Sequence, residues 1–75
     1  MLNSMSRWVG KQVRLKLNAW RVVEGVLQGY DSYLNLLLVE AMEVKNEGNQ
    51  RINIGTCFVR GNNISVIETL DSTKI

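Results

Sequence analysis

One cysteine and no histidine are found among the 75 residues of this chain, which limits how so short a chain can be stabilised. A chain of about 60 residues buries only ~60% of its unfolded surface, so small domains usually need disulfides, a metal or partner subunits. Cys57 has no second cysteine to pair with, and a tetrahedral zinc site is not available without histidine. Hydrophobic residues make up 45% of the chain, too many for intrinsic disorder. We therefore expect one small globular domain that is supported by oligomerisation.

The same composition narrows the possible activities. Without histidine there is no Ser–His or Cys–His nucleophile, and the seven acidic residues form no evident catalytic pair. The sequence contains neither a GxGxxG pattern nor a phosphate-binding loop. Nine basic residues against seven acidic ones give a net charge of +2, which permits nucleic-acid binding without demanding it. We expect a binding module with no catalytic activity and no cofactor or metal.

Hydrophobic residues alternate with polar ones along much of the chain, which is typical of half-buried β-strands. A short helix is predicted at the start, and Gly10 is expected to end it. Gly25 lies inside a predicted strand, where a glycine indicates a sharp bend or a close approach of two backbones. The pattern predicts a helix over residues 2–10 and strands over residues 13–17, 21–30, 52–58 and 64–68.

Residues 34–44 are ambiguous by local reasoning. Helical spacing and propensity are shown by Leu34, Leu37, Leu38, Ala41 and Glu43. The flanking strands and the turn cluster at residues 45–49 favour instead a strand that is buried on both faces. Taken alone, the segment predicts a helix slightly more strongly than a strand.

Two polar segments stand at predicted strand ends, where a barrel could bring them to one rim. They are Asp31-Ser32-Tyr33-Leu34-Asn35 and Arg60-Gly61-Asn62. Tyr33 and Arg60 offer an aromatic ring and a guanidinium plane that can stack on both faces of an unpaired RNA base, and Asn35 offers an amide for its edge. Each residue taken singly is more typical of a turn or a barrel rim. Together they offer a set of groups that suits one unpaired RNA base.

These segments carry a resemblance to a known family. The sequence resembles the Sm and Sm-like proteins over residues 8–70. A first family motif is matched by Gly10, Val13, Leu15, Lys16, Gly25, Leu27, Asp31, Asn35, Leu38 and Glu40. A second motif is matched by Val59-Arg60-Gly61-Asn62-Asn63-Ile64. The two motifs at this separation are specific, whereas Arg-Gly-Asn alone would be weak.

The resemblance implies a mostly β fold, in which a short N-terminal helix lies on a strongly bent, five-stranded antiparallel barrel of SH3-like or OB-like type. It implies that residues 34–44 form a strand, against their local pattern. It also implies a single Sm domain over residues 1–75, with a first motif at 10–44, a second at 52–68 and a flexible tail at 71–75.

The function that the resemblance implies is that of an RNA-binding subunit in a heteroheptameric ring on uridine-rich Sm sites of spliceosomal small nuclear RNAs. Tyr33 and Arg60 would stack on opposite faces of one base, Asn35 would read its edge, and Gly61 would leave room for it. The positions carried over from the motifs are Tyr33, Asn35, Arg60, Gly61 and Asn62, together with Asp31, which would hold the loop.

The predicted edge strands support assembly independently of the resemblance. Residues 52–59 and 64–67 contain neither lysine nor proline, the residues with which soluble monomers often guard their sheet edges. The family's subunits join through these strands, so the resemblance implies contacts through residues 52–59 and 64–68. Sm E and an Sm D-type protein would be the neighbours, and the ring would act in the nucleus after a cytoplasmic assembly phase.

The sequence also departs from the family pattern. Leu34 stands where methionine is usual, a swap that conserves volume. Ala19 and Trp20 replace a glycine-rich turn, so Trp20 is either an extra partner contact or folds back on the barrel. No arginine-rich tail follows residue 70, which argues against a tail-mediated role. Two alternatives stay open: an Sm-like paralogue in a ring that acts in messenger RNA decay or other RNA processing, and an SH3-like adapter that binds only proteins.

Overall fold

The computed structural model describes residues 5–70, so the predictions for residues 2–4 and for the tail at 71–75 lie outside the described residues. Within the described part of the predicted helix, Ser6–Trp8 forms a single 3-10 turn. Gly10 follows it with φ +89°, the left-handed conformation expected of a glycine that ends such a segment. No helix among residues 5–70 is long and apolar enough to span a membrane.

Five antiparallel strands form one bent sheet, as the fold prediction required. In chain order they are β1 (Gln12–Leu17), β2 (Val22–Tyr30), β3 (Leu36–Lys45), β4 (Gln50–Val59) and β5 (Ile64–Thr69). Their order across the sheet is β4-β3-β2-β1-β5, so β4 and β5 lie at its two edges. Single 3-10 turns connect three of the strand pairs, over Asn18–Trp20, Asn46–Gly48 and Gly61–Asn63.

The ambiguous segment is a strand, and a bulge explains its helix-like spacing. Leu36 and Leu38 are fully buried, but the next buried position is Ala41, three residues further on. The register of β3 shifts between Leu38 and Ala41, and Glu40 has φ +52°. One extra residue therefore interrupts the two-residue alternation and reproduces the three-residue step of a helix.

Gly25 is the counterpart of this bulge on β2. Glu24 pairs with Met42 and Val26 pairs with Val39, so Gly25 alone faces two residues of β3. A Cβ at Gly25 would lie 3.1 Å from both Ala41 Cα and Val39 O. The absence of a side chain lets the two strands bend together, which confirms the predicted close approach. The core enclosed by the bent sheet consists of Met5, Val13, Leu15, Val23, Leu27, Leu36, Leu38, Ala41 and Val59.

A buried carboxylate ties several strands together. Glu24 on β2 has a side chain only 6% exposed and accepts hydrogen bonds from Arg14 on β1, at 2.9 Å, and from Arg51 on β4. Arg14 also reaches Glu68 on β5 at 3.5 Å. Burial alone would raise the pKa of Glu24, but the hydrogen bonds from the two guanidinium groups outweigh it and lower that pKa. Glu24 is therefore ionised and neutralised by its two arginine partners.

Candidate nucleic-acid interface

The loop between β2 and β3 is organised around the carboxylate of Asp31. Its Oδ1 accepts hydrogen bonds from the backbone N–H groups of Tyr33, at 2.9 Å, and Asn35, at 3.0 Å. Its Oδ2 accepts one from the side-chain Nδ2 of Asn35 at 3.0 Å. The backbone carbonyl of Asp31 closes the turn by accepting from the N–H of Leu34, which has φ +62°. The side chain of Asp31 thus holds the β2–β3 loop by three hydrogen bonds.

The same hydrogen bonds determine the charge state of Asp31. The bond from the Asn35 side chain, with the backbone bonds from Asn35 and Tyr33, lowers the pKa of this carboxyl below its ordinary value. The ionised form can accept all three bonds, whereas protonation would occupy one of the two oxygens. Asp31 is therefore charged at neutral pH, and this charged form accepts the hydrogen bonds that hold the loop.

Asn35 joins this loop to the turn between β4 and β5. Its Oδ1 accepts a hydrogen bond from the backbone N–H of Gly61 at 2.8 Å, while its Nδ2 donates to Asp31. A backbone N–H can only donate and a carboxylate can only accept, so the amide cannot flip without losing both bonds. One N–H of Nδ2 and one lone pair of Oδ1 remain available. The amide thus presents a donor and an acceptor in a fixed order.

The packing of the two loops requires glycine at position 61, and the role of leaving room for a base stays a prediction. A Cβ at this position would lie 2.8 Å from the carbonyl oxygen of Leu34 and closer still to that of Tyr33. Cβ atoms essentially never approach backbone atoms so closely. The space beside Gly61 is filled by the β2–β3 loop itself, so this glycine allows two loops to pack together.

The remaining predicted residues lie on these same two connections. Tyr33 exposes 81% of its surface, which leaves its ring free to stack. Arg60 and Asn62 are also exposed, and Arg60 forms no ion pair with any of residues 5–70. The β2–β3 and β4–β5 connections therefore bring all six predicted positions to one place, which we call the base site: Asp31, Tyr33, Asn35, Arg60, Gly61 and Asn62.

One contact at the border of the base site escaped sequence reasoning. Asn18 Nδ2 donates to Asn63 Oδ1 at 3.4 Å, so the β1–β2 turn lies beside the β4–β5 turn. Both asparagines lie at predicted turns, which is the signal that the sequence offers. Because 45 residues separate them, the sequence does not indicate that their side chains meet.

This fold and this pair of linked loops define an Sm-type barrel, and the comparison with known proteins agrees. The family model described as the LSM domain matches residues 3–69, and the chain belongs to this family of Sm and Sm-like proteins. It is 42% identical to small nuclear ribonucleoprotein G of Schizosaccharomyces pombe over 67 residues, which cover 89% of this chain and 86% of that protein. The resemblance inferred from the two motifs is thereby confirmed.

Among solved structures, the P. aerophilum SmAP1 heptamer is 30% identical with a TM-score of 0.89, covering 96% of this chain and 95% of that one. The Pyrococcus abyssii Sm protein in complex with a uridine heptamer is also 30% identical, with a TM-score of 0.78 and coverage of 91% and 94%.

Proposed function

We propose that this chain is an RNA-binding core subunit of the heteroheptameric Sm ring that assembles on uridine-rich Sm sites of spliceosomal small nuclear RNAs. In that role it supports ribonucleoprotein assembly and pre-mRNA splicing by binding and scaffolding, without catalysis. The similarity to small nuclear ribonucleoprotein G and to an Sm protein bound to a uridine heptamer supports this assignment. The chain then acts in the nucleus, after an assembly phase in the cytoplasm.

The observation that carries the proposal is the clamped amide of Asn35. Uracil presents a carbonyl acceptor beside its N3–H donor, and cytosine presents the reverse order, an amino donor beside an N3 acceptor. An asparagine that could flip would pair with either base. Because Asp31 and Gly61 hold the Asn35 amide in one orientation, its free donor and acceptor discriminate between a uracil and a cytosine that enter the site in the same orientation. The base site therefore favours one pyrimidine, and uracil is the one that we propose.

Stacking completes the proposed contact with the base. The exposed Tyr33 ring and the Arg60 guanidinium lie on connections that Asn35 ties together, so they can enclose a base whose edge meets the amide. Stacking is worth only about 1–3 kcal/mol per base. One base site therefore binds RNA weakly, and a ring that places several such sites along one strand reaches useful affinity through multivalency.

The two sheet edges support ring assembly. Within the described chain β4 pairs only with β3, and β5 pairs only with β1, so each keeps one unpaired side. Large apolar side chains are exposed on these strands: Phe58 by 62%, Ile52 by 39%, Ile54 by 38% and Val66 by 41%. Unpaired edges with exposed apolar side chains invite pairing with another chain. We propose that β4 and β5 join the neighbouring subunits, Sm E and an Sm D-type protein.

Replacing either stacking residue tests the base site. In a ring reconstituted with partner Sm subunits, Tyr33→Ala and Arg60→Ala should each weaken binding of oligouridine by about tenfold, because each removes one stacked face. Fluorescence anisotropy with labelled oligouridine measures the change. Ser32→Ala serves as the control, since Ser32 is an exposed residue of the same loop. Parental affinity in both stacking variants would refute the base site.

Co-expression tests membership of the ring. We expect the full chain to form a stoichiometric subcomplex with Sm proteins E and F, detected by native mass spectrometry. Association with Sm-like subunits instead would assign the chain to a ring that acts in other RNA processing. Failure to bind any Sm-type partner would favour a protein-only adapter and would contradict the proposed function.

A further inference from the structure

Trp20 occupies a position that neither burial nor backbone preference explains. It is 99% exposed, so its large indole contributes nothing to the core. Trp20 and its neighbour Ala19 both have left-handed backbones, with φ +63° and +62°, in the turn closed by the bond from Leu17 N–H to Arg21 O. Glycine would adopt these angles without steric cost, whereas residues with a Cβ are strained there. A strained and fully exposed tryptophan indicates a functional contact.

A charged groove of about 660 Å³ lies beside this tryptophan. Five basic and three acidic side chains line it, between the β1–β2 and β3–β4 turns. Two of the acidic residues, Glu24 and Glu43, are 6% and 16% exposed and are covered by arginine partners. Lys16 is 50% exposed and its Nζ lies 4.0 Å from Glu68 Oε2, and Lys45 is exposed at the end of β3. Five basic against three acidic side chains give the lining a net charge of +2, and its exposed charges include Lys16, Lys45 and Glu47.

The groove is close to the base site. The hydrogen bond from Asn18 to Asn63 holds the β1–β2 turn against the β4–β5 turn, which carries Gly61. Trp20 is two residues from Asn18, so their Cα atoms lie within about 8 Å of each other. A strand of RNA bound at the base site can therefore continue past the indole.

We propose that the groove beside Trp20 binds a further nucleotide of single-stranded RNA, whose base stacks on the indole while its phosphate lies near Lys16 and Lys45. An aromatic face next to basic side chains is the combination that binds single-stranded nucleic acid. A positively charged groove also fits an anionic backbone better than an apolar protein segment. The choice of RNA as the ligand rests on the proposed function. The groove is separate from the base site, so an experiment can disprove binding in the groove without disproving binding at the base site.

The test is the replacement of Trp20 by glycine in the assembled ring. Trp20→Gly should weaken the binding of a uridine oligomer that is longer than a heptamer by about tenfold. Binding of a uridine heptamer, which fills only the base sites, should stay unchanged. The melting temperature should not fall, because glycine relieves the left-handed strain. Glu47→Gly is the matched control: it changes another left-handed residue that lines the groove, without removing an aromatic ring, and should not weaken binding.

Fluorescence gives a direct readout of stacking. The chain has two tryptophans, so Trp8→Phe leaves Trp20 as the only indole, and the longer oligomer should quench its emission. Parental affinity of Trp20→Gly for the longer oligomer would overturn the proposal. Loss of a protein subunit from the Trp20→Gly ring would also overturn it, because the indole would then be a protein contact. Tyr33→Ala should weaken binding of both oligomers, and its failure would count against the base site instead.

Discussion

Replacing Gly61 with alanine is expected to destabilise the fold by about 3 kcal/mol or more and to abolish binding at the base site. The new Cβ would meet the carbonyl oxygens of Tyr33 and Leu34, and neither backbone atom can move away as a flexible side chain could. Moving the β2–β3 loop would stretch the bond from Gly61 N–H to Asn35. One methyl group would thus disrupt both the packing of the two loops and the orientation of the amide.

Gly29→Ala is the matched control for this prediction. Gly29 also lies near the β2–β3 loop, at the end of β2, but a Cβ there would meet no atom within 4 Å. Thermal unfolding of the two variants in the same subcomplex, at equal concentration, should lower the melting temperature by more than about 10 °C for Gly61→Ala and by far less for Gly29→Ala. Equal melting temperatures would show that the loops yield easily and that Gly61 is not required for their packing.

Replacing Asn35 with aspartate should weaken oligouridine binding by about tenfold to a hundredfold, although the two side chains have nearly the same shape. The new carboxylate oxygen would face Asp31 Oδ2 across the 3.0 Å that the amide hydrogen bond now spans. A donor to the base edge would also be replaced by an acceptor. The Asn49→Asp variant, in the exposed turn after β3, adds the same charge away from this clamp and should retain parental affinity.

The stability of the β2–β3 loop should change with pH in opposite directions in the parental chain and in the Asn35→Asp variant. The hydrogen bonds lower the pKa of Asp31, so its contribution to loop stability is complete above the ordinary carboxyl pKa and is lost as the pH falls through the lowered value. In Asn35→Asp two adjacent carboxylates repel, which raises the pKa of one of them. The variant loop should therefore become more stable as the pH falls below neutral. Amide hydrogen exchange at Tyr33 and Asn35 measures this, and a parallel response in both proteins would contradict the clamp.

Most residues of the candidate site could be predicted because they lie in two short segments of the chain. The residues of Asp31–Asn35 and Arg60–Asn62 are adjacent in the chain, and an aromatic ring, an amide and a guanidinium at strand ends indicate base binding whatever lies between them. The alternation of apolar residues similarly predicts strands from neighbours alone. The role of Gly61 could not be predicted in this way, because the atoms that exclude its side chain belong to Tyr33 and Leu34, which are more than twenty-five residues away.

The sequence by itself determined that this chain is a small β protein that cannot form an internal disulfide. It also determined the two family motifs, whose residue types are suited to RNA binding. Only the tertiary structure decided how β3 bends, since the bulge at Glu40 exists because Gly25 on another strand leaves room for it. Only the tertiary structure oriented the amide of Asn35, which donates a hydrogen bond to Asp31 in its own loop and accepts one from Gly61. It also left Trp20 exposed beside a groove lined mostly by basic side chains. Local patterns record which groups are present, but their orientation depends on contacts between residues far apart in the chain.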